Sequence, residues 1–166
     1  MANEKPPHGL SRNAANYGDP DFAFYLRRSF AASMGYSRTM LEKPVVGIAD
    51  TASDYNNCHR SVPELVEAVK RGVLAAGALP LAFPTVSLCE PSLVPTSMHY
   101  RNLMAIDTEA MLTAQPMDAA VLIGGCDKTV PAQLMGAASA GLPAIQLITG
   151  SMLTGSHRGE VVGACT

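Results

Sequence analysis

The feature that most constrains this chain is a repeated order of segments: a short apolar run, a polar loop, then a stretch of helical period. Pro44 to Ala49, Phe83 to Leu88, Asp118 to Ile123 and Ala144 to Ile148 are the apolar runs, and each reads as a buried strand. After the first run, Ser61 suits a helix cap and Pro63 and Glu64 a first turn. Leu65, Val66, Val69, Val73 and Leu74 then form an apolar stripe closed by Gly77. MHYRNLMAIDTEAMLTA gives a second helix, and Ala132 to Ala140 a third. Parallel neighbours need a crossover, so strands alternating with helices predict an α/β fold: a doubly wound, mostly parallel sheet with flanking helices.

In such sheets ligands gather at the carboxyl ends of the strands. Cys58 lies in the polar loop TASDYNNCHR after the first run, Glu90 follows the second, and Cys126, Asp127 and Lys128 follow the third in IGGCDKTVP. One edge of the sheet is expected to collect all five. Residues 1–40 read as an amino-terminal arm, with Phe22, Tyr25, Leu26 and Phe30 at helical spacing and suited to packing on a partner surface. Residues 41–166 read as the α/β domain that carries these five residues.

Composition narrows the function. The chain has 166 residues, 48% hydrophobic and 16% charged, and a formal charge of -2 with its basic residues scattered. That balance suits a globular protein acting on a small molecule and argues against nucleic acid or a membrane surface as partner. No apolar run is long enough to span a bilayer and the start lacks the apolar core of a secretory signal, so a cytoplasmic location is expected. Cys58, Cys89, Cys126 and Cys165 are too few and too widely spaced for a disulfide scaffold, which leaves them as buried thiols or ligands.

Thiolate sulfur suits iron-sulfur clusters or zinc and carboxylate oxygen suits magnesium, so Cys126 beside Asp127 can serve two metals at one place. Lys128 either lowers a neighbouring thiol's pKa or, carbamylated, becomes a further oxygen ligand. Cys89 and Cys165 lack such company and read as small buried hydrophobes. The glycine-lysine spacing of a phosphate-binding loop is absent, and Cys58-His59 is the sole adjacent pair that a zinc site would use. His59, His99 and His157 read as surface or supporting groups rather than ligands.

The segment LIGGCDKTVPAQLMGAASAGLPAI, followed by GSMLTGSHRGEVVGACT, resembles the signature of the dihydroxy-acid and 6-phosphogluconate dehydratase family. The resemblance continues upstream through NNCHRSVPELVEAVKRGVLAAGALPLAFPTVSL and PTSMHYRNLMAIDTEAML, covering nearly everything from Pro44 to Thr166. FPTVSLCEPSLVPTSMHYRNLMAIDTEAML is more similar to the sugar-acid dehydratases, such as those for arabinonate or xylonate, than to the branched-chain biosynthetic enzyme. The resemblance implies the amino-terminal part of an iron-sulfur, magnesium-dependent hydro-lyase that converts a 2,3-dihydroxy sugar acid to a 2-keto-3-deoxy acid. It implies Cys58 and Cys126 as ligands of a cluster, 2Fe-2S rather than 4Fe-4S, and Glu90, Asp127 and Lys128 as the magnesium site, so that residues 41–166 are a partial domain that binds a cluster and a metal. It also implies a third cluster cysteine and a serine base beyond Thr166, a homo-oligomeric full-length form, and little activity for these residues alone. A dihydroxy-acid dehydratase, or a non-catalytic binding or assembly module, remains the alternative.

Overall fold

The computed structural model describes residues 7–150 and 153–163. Cys165 therefore lies outside the described residues, as does the start of the arm. Helix α1 (Pro20–Ser33) begins where the Asp19 carboxylate accepts the amides of Asp21 and Phe22, with Pro20 in the first turn. Its buried side chains are Ala23 and Ala31, whereas Phe22, Tyr25 and Phe30 of the expected stripe are exposed. A short helix α2 (Arg38–Leu41) leads into the sheet. The arm is fastened polar group by polar group: Arg27 donates to the carbonyls of Leu10, Arg12 and Asn13, and one oxygen of Asp118 accepts the amides of Gly9 and Val45.

Strand β1 (Val45–Asp50), helix α3 (Val62–Ala75), strand β2 (Leu79–Pro84), helix α4 (Arg101–Ala114), strand β3 (Ala119–Gly124), helix α5 (Thr129–Ala140) and strand β4 (Ala144–Ile148) follow in turn. The four strands form one parallel sheet in the order β2-β1-β3-β4, as the alternation of segments predicts. Alternate residues feed two cores. Ile48 and Ile123 point to one face and pack with Val62 and Val66 of α3. Val45, Ala49, Ala120 and Leu122 point to the other, against Leu112 of α4, Ala137 of α5, the arm residues Leu10 and Ala31, and Leu41 of α2. Helices α4 and α5 lie close because position 136 is glycine: a Cβ there would stand 2.6 Å from the Ala105 carbonyl oxygen.

The bounds of the second strand and of the third helix of the sequence reading differ for physical reasons, and α4 starts at Arg101 rather than Met98, after a 3-10 turn at Ser97–Tyr100. The second strand is Leu79–Pro84, not Phe83 to Leu88: Leu79 pairs with Val45, and past Pro84 the Val86 amide turns away to the Asp107 carboxylate at 2.7 Å. Pro80 and Pro84 are tolerated because β2 is an edge strand, where a missing donor costs no inner ladder bond. Helix α5 starts at Thr129 rather than Ala132, since Pro131 falls in its first turn, where its missing N–H is not needed. A small antiparallel hairpin, β5 (Gly155–His157) and β6 (Glu160–Val162), closes the described chain through Arg158 and Gly159, both at positive φ.

Candidate functional site

The chain path reverses direction within the sheet. From β1 it moves outward to β2 and then crosses back to β3, on the other side of β1. The carboxyl ends of β1 and β3 therefore flank a switch point, where the following loops diverge to opposite faces and leave a crevice. Cys58 follows β1, in a 3-10 turn at Asn57–His59, and Cys126 follows β3.

Four successive carbonyls at the end of β3 are each held by a hydrogen bond. Ile123 accepts from the Thr51 hydroxyl at 2.9 Å and the Gln133 amide at 3.0 Å, and Gly124 accepts from the Thr149 amide at 3.2 Å. Gly125 accepts from the His59 ring at 3.1 Å, and Cys126 from the Val130 amide at 3.5 Å. Gly125 must be glycine for the cysteine turns to meet. A Cβ there would stand 2.2 Å from the Thr149 hydroxyl oxygen, 2.8 Å from the Cys58 carbonyl oxygen and 3.3 Å from the Cys58 Cβ. Cys126 has φ 58, a left-handed conformation that costs a non-glycine residue about 1 kcal/mol or more.

Beneath the two turns is a buried polar knot. Asn56 accepts the Cys58 amide on its Oδ1 at 3.1 Å and donates from Nδ2 to the Leu88 carbonyl and to His59 Nδ1, both at 3.1 Å. Those partners orient the Asn56 amide, which makes His59 Nδ1 an acceptor. The Ser87 hydroxyl lies 2.6 Å from the same nitrogen. Nε2 donates to the Gly125 carbonyl, which can only accept.

The thiols differ electrostatically. Cys126 is lowered to about 6, chiefly by hydrogen bonding from the His59 ring, with the Thr129 and Lys128 amides and the Thr129 hydroxyl helping against the effect of burial. Gly125 has the well-formed bond to that ring, so the His59 influence on the sulfur is a shared one. The Thr129 hydroxyl lies 3.6 Å from the Cys126 sulfur. Cys58 is raised, first by burial and then by the negative charge of Cys126, Cys89 and Asp127 nearby. Sulfur groups gathered until they repel one another, at turns already fixed by the fold, form a donor set that a cationic iron centre would relieve.

The oxygen donors are arranged differently. Asp127 is 76% exposed and pairs with Lys128, which is 14% exposed, at 2.6 Å. Glu90 turns its carboxylate into its own loop, accepting the Thr96 hydroxyl at 2.6 Å, the Ser97 amide at 2.8 Å and the Ser97 hydroxyl. Those bonds, the Ser97 hydroxyl first, pull its pKa down to about 2. Lys128 is raised, first by its bond to Asp127. Among the described residues, no three of His, Cys, Asp and Glu converge as a metal-holding group. Glu90 and Asp127 supply oxygens that fit a hard cation, whereas Lys128 as an ammonium does not and would fit only as a carbamate.

Asn56, Ser87 and Thr129 carry no signal in the sequence for the parts they take here, and His59 reads there only as a surface or supporting group. The Ser-Val-Pro-Glu stretch after Cys58 marks a helix start but carries no sign that the ring before it reaches Gly125. Cys89 is buried and close enough to Cys58 to raise its pKa. His99 and His157 are exposed.

A parallel α/β sheet with sulfur and oxygen donors on neighbouring turns of its switch point defines a domain of the doubly wound α/β class. The chain belongs to the dihydroxy-acid/6-phosphogluconate dehydratase family, whose amino-terminal model matches residues 43–166. It is 44% identical over 151 residues to L-arabinonate dehydratase of Rhizobium leguminosarum bv. trifolii, covering 90% of this chain and 26% of that protein. It is 48% identical over 124 residues to 6-deoxy-6-sulfo-D-gluconate dehydratase of Pseudomonas putida, covering 75% and 21%. Dihydroxy-acid dehydratase of Clostridium novyi is 40% identical over 140 residues, covering 81% and 25%. The chain thus spans about a quarter of the length of the curated relatives it matches. Among the described residues, no helix is long and apolar enough to cross a membrane.

Proposed function

We propose that this chain forms the cluster-binding, amino-terminal part of a hydro-lyase that removes water from a 2,3-dihydroxy sugar acid and yields a 2-keto-3-deoxy acid. The observation that carries the reading is the packing of the Cys58 turn on Gly125, beside Cys126, at the switch point of the sheet. Membership of a dehydratase family supports the reaction class, and the names of the sugar-acid relatives support the substrate class.

Cys58 and Cys126 would hold an iron-sulfur cluster, 2Fe-2S in our reading, which supplies a Lewis-acidic iron to the departing 3-hydroxyl. His59, with Thr129 and the amides at the start of α5, keeps Cys126 ready as a thiolate, while Asn56 and His59 hold the two turns in register. Glu90 and Asp127 would face magnesium, with Lys128 carbamylated, and so orient the substrate's carboxylate end. The charge of Lys128 opposes a cation until that modification removes it. The base that takes the C2 proton, and a third cluster ligand, are placed outside the described residues. We further assign the active form to a cytoplasmic homo-oligomer.

The test is anaerobic reconstitution with iron and sulfide, read by visible absorbance, together with a keto-acid assay on arabinonate, xylonate and gluconate using a full-length protein that carries these residues. Cys58→Ser and Cys126→Ser should each abolish the absorbance and the turnover. Retention of both properties in either variant would refute the assignment.

A further inference from the structure

We infer that His59 is a positioning residue, whose ring sets the spacing of the Cys58 and Cys126 turns before any metal or cluster is bound. The inference rests on the reading of those two cysteines as ligands of one group. His59 is fully buried, and the carbonyls, amide and hydroxyl around it come from three separate loops. Two of those loops carry the thiols: His59 adjoins Cys58 in sequence, and its Nε2 holds the carbonyl of Gly125, which adjoins Cys126. The third contributes Ser87, and Asn56 reaches its Leu88 carbonyl as well.

Engagement at both nitrogens prevents the ring from rotating. Of the elements that hold the end of β3, Thr51 and Thr149 secure the carbonyls of residues 123 and 124, which precede the glycine hinge. His59 secures residue 125 itself, next to the positive-φ cysteine. A core-filling role would be met as well by leucine. Leucine would, however, leave the Gly125 carbonyl without its His59 donor and Asn56 Nδ2 without its ring acceptor, and the strained Cys126 turn would lose its link to Cys58.

The experiment titrates the metal-free protein with Cd2+ and reads the ultraviolet thiolate-to-cadmium band, which reports two sulfurs acting together and needs neither iron nor turnover. Far-ultraviolet circular dichroism checks the fold of each variant. We expect a saturable band that is lost in Cys58→Ser and in Cys126→Ser. His59→Leu, and His59→Asn, which reaches Asn56 but not Gly125, should weaken Cd2+ binding about ten- to a hundredfold. His59→Gln restores a donor near the Nε2 position and should recover most of the affinity. A folded His59→Leu or His59→Asn protein that binds Cd2+ like the unsubstituted one overturns the positioning role and leaves the cysteine pair standing. A band that survives loss of either cysteine overturns both readings.

Discussion

Gly125 and Cys58 touch backbone to backbone: the position a Cβ would take on Gly125 is 2.8 Å from the Cys58 carbonyl oxygen. Real Cβ atoms do not approach a carbonyl oxygen that closely, so the contact makes Gly125 the hinge on which the two thiol turns meet. Gly125→Ala should force the Cys58 turn outward and destabilise the fold by about 1–3 kcal/mol, the usual cost of an atom added to a packed site. Thermal unfolding should show the loss, and iron reconstitution on the same variant should fall with it. Wild-type stability and cluster yield in Gly125→Ala would contradict the contact.

Cys126 should behave as a thiolate at neutral pH in the metal-free protein. Its pKa of about 6 lies below the ordinary thiol value of 9.0, so its alkylation by iodoacetamide should rise through pH 6 and then level off. Cys58, raised above 9.0, should stay slow until the solution is more alkaline. The stability effect has a fixed sign: the unfolded thiol binds a proton across the window from about 6 to 9 that the folded one has released. The contribution is therefore complete above the ordinary value and disappears as pH falls through about 6. Mass-resolved alkylation across pH distinguishes the two cysteines.

Glu90 organises the loop between β2 and α4. Its pKa of about 2 means the carboxylate remains charged, with its three bonds from Thr96 and Ser97, at any pH above that value, and the loop loosens only in stronger acid. Glu90→Gln substitutes a donor for one of those acceptor oxygens. The sheet should remain folded while the Ser97 amide exchanges with solvent faster, as hydrogen exchange would record. Unchanged protection at Ser97 would show that the loop is held by other means.

Asp127 tests the oxygen site. With 76% of its side chain exposed, Asp127→Asn should alter stability by no more than about 0.5 kcal/mol, in line with surface substitutions. In a full-length protein the magnesium concentration for half-maximal turnover should nonetheless rise, because a hard cation loses a charged oxygen. An unchanged magnesium titration in Asp127→Asn would refute the assignment of Asp127 as a ligand.

Much of this fold can be read from local pattern because three of the four strands are apolar runs bounded by turn residues: β1, β3 and β4 fall within one residue of the reading. The second strand cannot be read that way. Pro80 argues against a strand until β2 is seen to be an edge, and Thr85 to Leu88 has strand composition but leaves the sheet at Val86. The loop positions of Cys58, Glu90 and Cys126 follow from the same alternation. Their mutual arrangement does not, since it depends on β1 lying beside β3 and on a glycine whose partner is distant in sequence. Glu90 illustrates the limit: its place after β2 is legible, but its capture by Thr96 and Ser97 is a property of loop geometry. The same holds for α1, whose aromatic stripe is visible in sequence while the choice of Ala23 and Ala31 as the packed face belongs to the sheet they meet.

The His59–Gly125 bond joins residues 66 positions apart, with α3, β2, α4 and β3 all lying between them along the chain. Closing so long a loop is among the slow, entropy-limited steps of folding, because nothing rewards it until both ends have docked. At ribosomal speeds of about 5–20 residues per second, Cys58 leaves the tunnel several seconds before Cys126 does. During that interval the first thiol is an unshielded nucleophile on a growing chain. The switch-point architecture thus makes the meeting of the two thiol turns a late event, gated by completion of β3, and it leaves Cys58 open to oxidants while the protein is being born.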